Sequence, residues 1–447
     1  ISNNNGKHEI INLEFGNTTK RNFGLAIDIG TTTIVAYLVD LNNGSILETI
    51  SDYNPQIIYG EDLLSRIEYV SKVKEGLSIL LKAAVETINK LIQKLTSRSG
   101  IEKTEVTDVC IAGNTVMTHL LTGNDPTYLL ELDAEVSREP FIGKARMLDI
   151  EVNPEAGLYI LPSVSRFVGG DAVGDIVTSG LFSSLQVSAL IDMGTNGEII
   201  LGSKGWILAS SCASGPAFEG WEIAYGTRGI TGAIDHVVTD RESFKAKYSV
   251  IGGKTTKVNG ICGSGLIDAI AEMFSVGLLD SQGRIQTNKS PLVRMGLRGP
   301  EYVISPSEET ESGKDIVVTQ KDVDNFLESK AAVCATTATL MKKIKASVYD
   351  VENVYLAGAF GSYMDIGNAI KIGIFPEFPR AKIVQIGNGA IGGAYLALLS
   401  KQKRKEINDI AKITAYFDMN LDADFMDEFS VALTLPGNPS LFPSVKS

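Results

Sequence analysis

The sequence predicts an α/β protein of two lobes, with duplicated mixed-sheet subdomains around a central cleft. Two observations carry this reading. A strand–acid–glycine–threonine hairpin occurs twice, at Asp28 and Asp192, and strand meanders alternate with amphipathic helices along the rest of the chain. Size agrees, because 447 residues exceed what one hydrophobic core fills and suit two lobes.

The elements follow in order. Residues 1–22 read as a linker. Gly24-Leu25-Ala26-Ile27-Asp28 is an apolar run ending in an acid, followed by Gly30 and three threonines. Ile34 to Val39 and Ser45 to Ile50 are two further strands around the turn Asn42-Asn43-Gly44. Leu77, Leu80, Leu81, Ala84, Ile88, Leu91, Ile92 and Leu95 then repeat at helical spacing. Val109 to Ala112 is a buried strand opening into Gly113-Asn114-Thr115. The second half repeats the beginning: Ala189 to Asp192, then Gly194-Thr195-Asn196-Gly197, then strands at Glu198 to Leu201 and Trp206 to Ala209. A third apolar strand, Val354 to Ala357, runs into Gly358-Ala359-Phe360-Gly361. The expected division is 1–22 linker, 23–170 first lobe, 171–395 second lobe, and 396–447 a C-terminal segment with Phe425, Phe429 and Leu433 packing back on the body.

Composition excludes several functions. The formal charge of −12, with acids and bases interleaved, leaves no basic stripe for a nucleic-acid backbone. No apolar run reaches the roughly 18 residues of a membrane span, and the polar start carries no signal-peptide core. The four cysteines, Cys110, Cys212, Cys262 and Cys334, lie far apart, which argues against both a disulfide framework and cluster-ligand spacing. A cytoplasmic location is the simplest expectation. Because the first residue is Ile, the sequence is read as a piece of a longer protein.

The two hairpins suit a polyphosphate. Gly30 and Gly194 let the backbone turn tightly and approach a ligand. Successive turn N–H groups then form an anion nest, with Thr31, Thr32, Thr33, Thr195 and Asn196 adding polar contacts and Gly197 closing the second turn. Asp28 and Asp192 would repel phosphate directly, so their expected partner is a hydrated Mg²⁺, which keeps several waters and takes one or two carboxylates. Glycines 358 and 361 with Ala359 and Phe360 would let an adenosine lie against the backbone. The expected ligand is ATP, in a nucleotide cleft.

The order D-I-G-T-T-T, D-M-G-T-N-G-E and L-A-G-A-F-G resembles the acetate and sugar kinase, Hsp70 and actin superfamily. The stretches 54–67, 112–121, 214–220 and 260–270 narrow it. Together they are similar to ATP-dependent reductive activators of corrinoid proteins in methyltransferase and O-demethylase systems, over nearly everything from Phe23 onward. The resemblance implies an actin-like ATPase that drives one-electron reduction of a Co(II) corrinoid protein to Co(I). It also implies an iron–sulfur electron donor, usually N-terminal, for which this chain lacks cluster cysteines; a homodimer is left open.

The individual residues keep two readings each. Asp28 and Asp192 are expected to contact magnesium through water, and either could orient an attacking water. Asp171 opens a helical stretch and could be a general base or an N-cap. Glu198 could face the phosphate or turn out of its strand. Gly263-Ser264-Gly265 precede a helix and could hold ribose or phosphate, or merely cap it. Asn114 and Thr115 could border the cleft or form a turn, and His119 reads as a packed helix residue. Asn54-Pro55-Gln56 with the following Tyr59 to Asp62 reads as a turn ahead of a helix, and the resemblance suggests a lobe surface near the cleft. The loop 387–393 could approach a partner's cofactor or pack helix on strand. A small-molecule kinase and a nucleotide-dependent binding module remain the rival functions. An activator of 2-hydroxyacyl-CoA dehydratases ranks below both, for want of suitably placed cysteines.

Overall fold

Every residue of the strand Phe23–Ile29 (β1) is buried, as happens when a strand is covered on both faces. The computed structural model describes residues 2–4, 7–9, 16–194, 196–253, 255–358 and 363–445. β1 pairs antiparallel with Thr33–Asp40 (β2), which pairs in turn with Ile46–Tyr53 (β3). On its other edge β1 lies parallel to Val106–Gly113 (β4). Phe141–Lys144 (β5) and Gly157–Ile160 (β6) complete a six-stranded sheet in the order β3-β2-β1-β4-β6-β5.

The helical stripe read from the sequence is the buried face of a helix at Gly76–Ser99 (α2), preceded by Leu63–Lys72 (α1). Leu80, Ala84, Ile88, Leu91, Ile92 and Leu95 are buried in the same core as Leu25 and Ile27. Full burial of each leucine or isoleucine is worth about 2 kcal/mol, so this face fixes the helix on the sheet. α2 stops at Gly100, whose φ of 64° is the left-handed cap that glycine adopts most readily. Thr115–Thr122 (α3) follows β4 directly.

The chain forms two compact units: residues 1–183 with 204–207 and 388–416, and residues 184–203 with 208–387 and 417–447. This differs from the division expected at residue 170. Helix Gly170–Ser179 (α4) stays with the first unit because its partner, helix Gly389–Leu399 (α7), comes from the far end of the chain. A Cβ on Gly393 would lie 2.2 Å from the Gly174 Cα, so the helix backbones touch where both residues are glycine. α7 also crosses β1, where a Cβ on Gly24 would meet Leu398 at 2.9 Å. Helix Lys401–Ile413 (α8) is tied to the same sheet through Arg404, which donates to Asp108 Oδ2 at 2.6 Å and lies over the Tyr159 ring. The segment expected to pack back as one piece is therefore divided, with 396–416 in the first unit and 417–447 in the second.

The second unit has its own sheet. Ser188–Met193 (β7) pairs antiparallel with Gly197–Ser203 (β8) and parallel with Asn353–Ala357 (β10). With Trp206–Cys212 (β9) and Lys382–Gly387 (β11), the order is β11-β10-β7-β8-β9. Gly263–Ser275 (α5) and Gln320–Lys343 (α6) are its main helices. Phe425, Phe429 and Leu433 pack against Ala331, Cys334 and Ala335 of α6, as the sequence predicts. Lys330, fully buried on α6, donates to the carbonyls of Thr434 at 2.5 Å and Pro436 at 2.9 Å. Among the described residues no helix is long and apolar enough to cross a membrane.

Candidate nucleotide-binding site

In the first unit the hairpin after β1 is closed by a hydrogen bond from Gly30 N to Thr33 O at 3.0 Å. A Cβ on Gly30 would stand 2.7 Å from that same carbonyl oxygen, so the turn requires glycine. Asp28 sits one residue before the strand end and is 8% exposed. Its Oδ2 accepts from Asn388 Nδ2 at 2.7 Å, while Asn388 Oδ1 accepts from Ile391 N at 3.0 Å. One side chain thus caps α7 and orients Asp28.

The loop is held from behind by three fully buried polar side chains, Asn54, Gln56 and Arg66. Asn54 Nδ2 donates to Gly30 O at 2.9 Å, Asn54 N to Thr32 O at 2.9 Å, and Arg66 Nη2 to Thr31 O at 2.5 Å. Arg66 Nε also holds Gly60 O at 3.0 Å, and its Nη1 reaches Gln56 Oε1 at 3.2 Å. Three successive carbonyls are therefore turned toward this brace. In a trans peptide the next N–H points opposite to the carbonyl, so the N–H groups of Thr31, Thr32 and Thr33 face the other way, as an anion nest requires. Within the turn stretch, Asn54 and Gln56 are buried and support the loop from behind. Its signal was present: Arg66 lies on the apolar stripe of α1 beside Leu63 and Ile67.

Asn114 caps α3, accepting from Val116 N at 3.1 Å, and donates to Phe167 O at 2.9 Å. Thr115 Oγ1 holds Ser165 O at 2.6 Å. These two residues shape the loop that leads into α4. A Cβ on Gly169 would meet Thr115 N at 2.4 Å, so the starts of α3 and α4 touch. Asp171 lies in the first turn of α4, where its Oδ1 accepts from Ala172 N at 2.8 Å. The loop 387–393 is committed to packing, with Asn388 on Asp28, Gly392 against Thr178 and Gly393 against Gly174.

In the second unit Asp192 stands opposite Glu198 across the β7–β8 pair and beside Ala357 of β10. Directly opposed residues share a face of the sheet, so the two carboxylates are brought together, with Glu198 5% exposed. Gly194 N donates to Asn196 O at 3.2 Å, and Ser214 Oγ donates to Gly194 O at 2.9 Å. Gly197 is required where a Cβ would meet Cys212 Sγ at 2.8 Å. Gly358 has φ of 85°, and a Cβ there would stand 2.6 Å from Asp192 Oδ1. The backbone after β10 therefore passes directly against the Asp192 carboxylate. Thr195, Ala359, Phe360 and Gly361 lie outside the described residues.

The start of α5 is accounted for by packing. Ser264 Oγ donates to Asp235 O at 2.9 Å, and a Cβ on Gly265 would lie 2.4 Å from Ile234 O. His119 is also a packed residue. Its Nδ1 faces Thr115 O at 2.7 Å and its Nε2 faces Tyr128 OH at 2.8 Å. A carbonyl only accepts, so Nδ1 carries the proton and the tyrosine hydroxyl donates to Nε2; burial holds the imidazole pKa below its usual value. A cavity of about 520 Å³ in the first unit is lined by His119, Tyr128, Glu139 and Phe141, and none of the hairpin residues reaches it.

The glycine cradles fit a polyphosphate. No group of three or more His, Cys, Asp or Glu side chains among the described residues could cage a metal. The donor set suits only an ion that keeps most of its waters, as magnesium does. The cysteines do not fit an iron–sulfur cluster: all four are buried free thiols on separate parts of the chain. Burial pushes the Cys212 thiol up to about 12 and that of Cys334 to about 11.

Residues 186–446 match the family model for the C-terminal domain of RACo, the ASKHA domain, and residues 23–184 match the RACo middle region. The chain belongs to the RACo family. Its superfamily, that of acetate and sugar kinases, Hsp70 and actin, is the one the hairpins predict. The corrinoid activation enzyme RamQ of Eubacterium limosum is 34% identical to this RACo-family chain over 423 residues, covering 91% of the chain and 69% of RamQ. A reductase of the Co(II) methylated amine-specific corrinoid protein from Methanosarcina barkeri is 24% identical over 438 residues, covering 91% and 76%. Among solved structures, a reductive activator for corrinoid, iron–sulfur protein superposes with a TM-score of 0.88 at 40% identity, covering 96% of the RACo-family chain and 69% of that protein.

Proposed function

We propose that this chain is the ATP-binding and ATP-hydrolysing body of a reductive activator, which drives one electron onto a Co(II) corrinoid protein to give Co(I). The observation that carries the ATP part is the arrangement around Asp192: a second carboxylate on the same sheet face, and a glycine backbone that no side chain could replace at Gly358. The corrinoid part rests on the relatives' named activities and on the extent of the match.

In this reading the N–H groups of Thr31, Thr32 and Thr33 form the phosphate loop of the first unit, and Gly194 and Gly197 belong to that of the second. Asp28, oriented by Asn388, in the first unit and Asp192 in the second are each candidates to contact a hydrated magnesium ion through water, and such an ion would neutralise phosphate charge. Asp192 or Glu198 takes the proton of the water that attacks the terminal phosphorus, and Asp171 is the third candidate base. ATP and water become ADP and phosphate. Reduction of Co(II) to Co(I) would require one electron from an iron–sulfur donor, which these residues do not form. The partner is a corrinoid protein, and the setting is cytoplasmic.

The test is ATP hydrolysis by this chain with and without a corrinoid protein held in the Co(II) state. Stimulation by the Co(II) form and not by the Co(I) form is expected. Unchanged hydrolysis combined with phosphate transfer to an added sugar or carboxylate would establish a kinase instead.

A further inference from the structure

A guanidinium is always charged in a protein, and burying one is costly unless something offsets the charge. Arg66 is fully buried. Its hydrogen bonds go to the carbonyls of Gly60 and Thr31, to Gln56 Oε1 and to Met117 Sδ, and none goes to a carboxylate. The carboxylate acting on it is that of Asp62, the exposed N-cap of α1, and burial outweighs it, bringing the Arg66 pKa down to about 10. A positive charge is thus buried in the first unit with no carboxylate hydrogen-bonded to it among the described residues. It sits directly behind the loop whose N–H groups turn outward.

We infer that Arg66 is the positioning residue of the first phosphate loop, and that its buried charge is offset by the polyphosphate bound on the loop's opposite face. Three features support this. Its fork fixes the Thr31 carbonyl at 2.5 Å and so sets the orientation of the next N–H. Gln56 is fixed in turn by its own bond to Leu80 O at 2.8 Å, so the fork has a rigid seat on α2. The guanidinium is fully buried behind a single peptide layer, where its charge is screened less than in water. The inference rests on the nucleotide reading above, and it assigns a role to residues 54–67 that the hairpins alone do not.

The role predicts discrimination by ligand charge, which a purely structural residue would not produce. Binding of ATP, ADP and adenosine is measured by titration calorimetry on native protein, Arg66→Met, Arg66→Lys and Gln56→Glu. Arg66→Met is expected to weaken ATP about tenfold or more while leaving adenosine within about twofold, and Arg66→Lys to recover part of the loss. Gln56→Glu guards against a misfolded Arg66→Met. It keeps shape and the acceptor to Arg66 while placing a carboxylate 3.2 Å from Nη1, at the cost of the donor to Leu80. It too is expected to weaken ATP more than ADP, and to leave adenosine unchanged. Equal weakening of ATP and adenosine, or unchanged ATP affinity in folded Gln56→Glu, overturns the inference. If native protein binds neither ATP nor adenosine, the nucleotide reading itself fails, which separates the two conclusions.

Discussion

Asn388→Ser and Asn388→Ala remove different parts of one side chain's work. Asn388 accepts from Ile391 N at 3.0 Å to cap α7 and donates to Asp28 Oδ2 at 2.7 Å. Serine keeps an N-cap oxygen but is too short to reach Asp28; alanine keeps neither. Loss of the cap costs about 1 kcal/mol of stability, so Asn388→Ala should unfold at measurably lower denaturant than native protein, with Asn388→Ser close to native. Loss of a hydrogen bond to a charged group is worth about 1.5–3 kcal/mol. If that energy holds Asp28 in working geometry, ATP hydrolysis falls about ten- to hundredfold in both variants alike. The assay is steady-state phosphate release beside urea unfolding of the same samples. Activity that follows stability, low in Asn388→Ala and native in Asn388→Ser, would refute the idea that Asn388 acts through Asp28.

Three further outcomes are expected. Asp192→Ala should lose most ATPase activity, about a hundredfold, with an unchanged far-ultraviolet spectrum; normal turnover in the folded variant would remove Asp192 from the site. Gly358→Ala places a Cβ 2.6 Å from Asp192 Oδ1 at a φ of 85° and should cost about 1–3 kcal/mol with a matching fall in hydrolysis, read by thermal melting and phosphate release. Lys330 has its folded pKa lowered by burial to about 8 from 10.5. The unfolded chain therefore binds more protons between those values, and stability should rise with pH across roughly 8 to 10.5. Lys330→Met should abolish that rise, measured as the denaturant midpoint at several pH values.

The parts legible in the sequence were the local ones. Asp28-x-Gly30 and Asp192-x-Gly194 announce themselves because a strand, an acid and a tight turn are contiguous. The α2 stripe announces itself by period. What stayed hidden depends on long separations or on burial that breaks the usual rule. Asn388 is 360 residues from the carboxylate it orients, and no local pattern links them. Arg66 is hidden in the sequence because a charged residue on a helix is normally solvated; its place between Leu63 and Ile67 on the apolar face is the available clue. The division at residue 170 missed because the contact that keeps α4 in the first unit, Gly174 on Gly393, is made by residues without side chains.

The route of the chain through the first unit also has a consequence for biosynthesis. α7, whose Asn388 cap donates to Asp28 and which covers β1 at Gly24, belongs to a unit whose six-stranded sheet lies wholly before residue 184. At translation rates of about 5–20 residues per second, the 360 residues between Asp28 and Asn388 take about 20–70 s to emerge. Through that interval the nascent sheet has an uncovered apolar face, and the carboxylate of Asp28 lacks its donor. A ribosome-bound chain stalled before residue 388 is thus the form of this protein most in need of a chaperone.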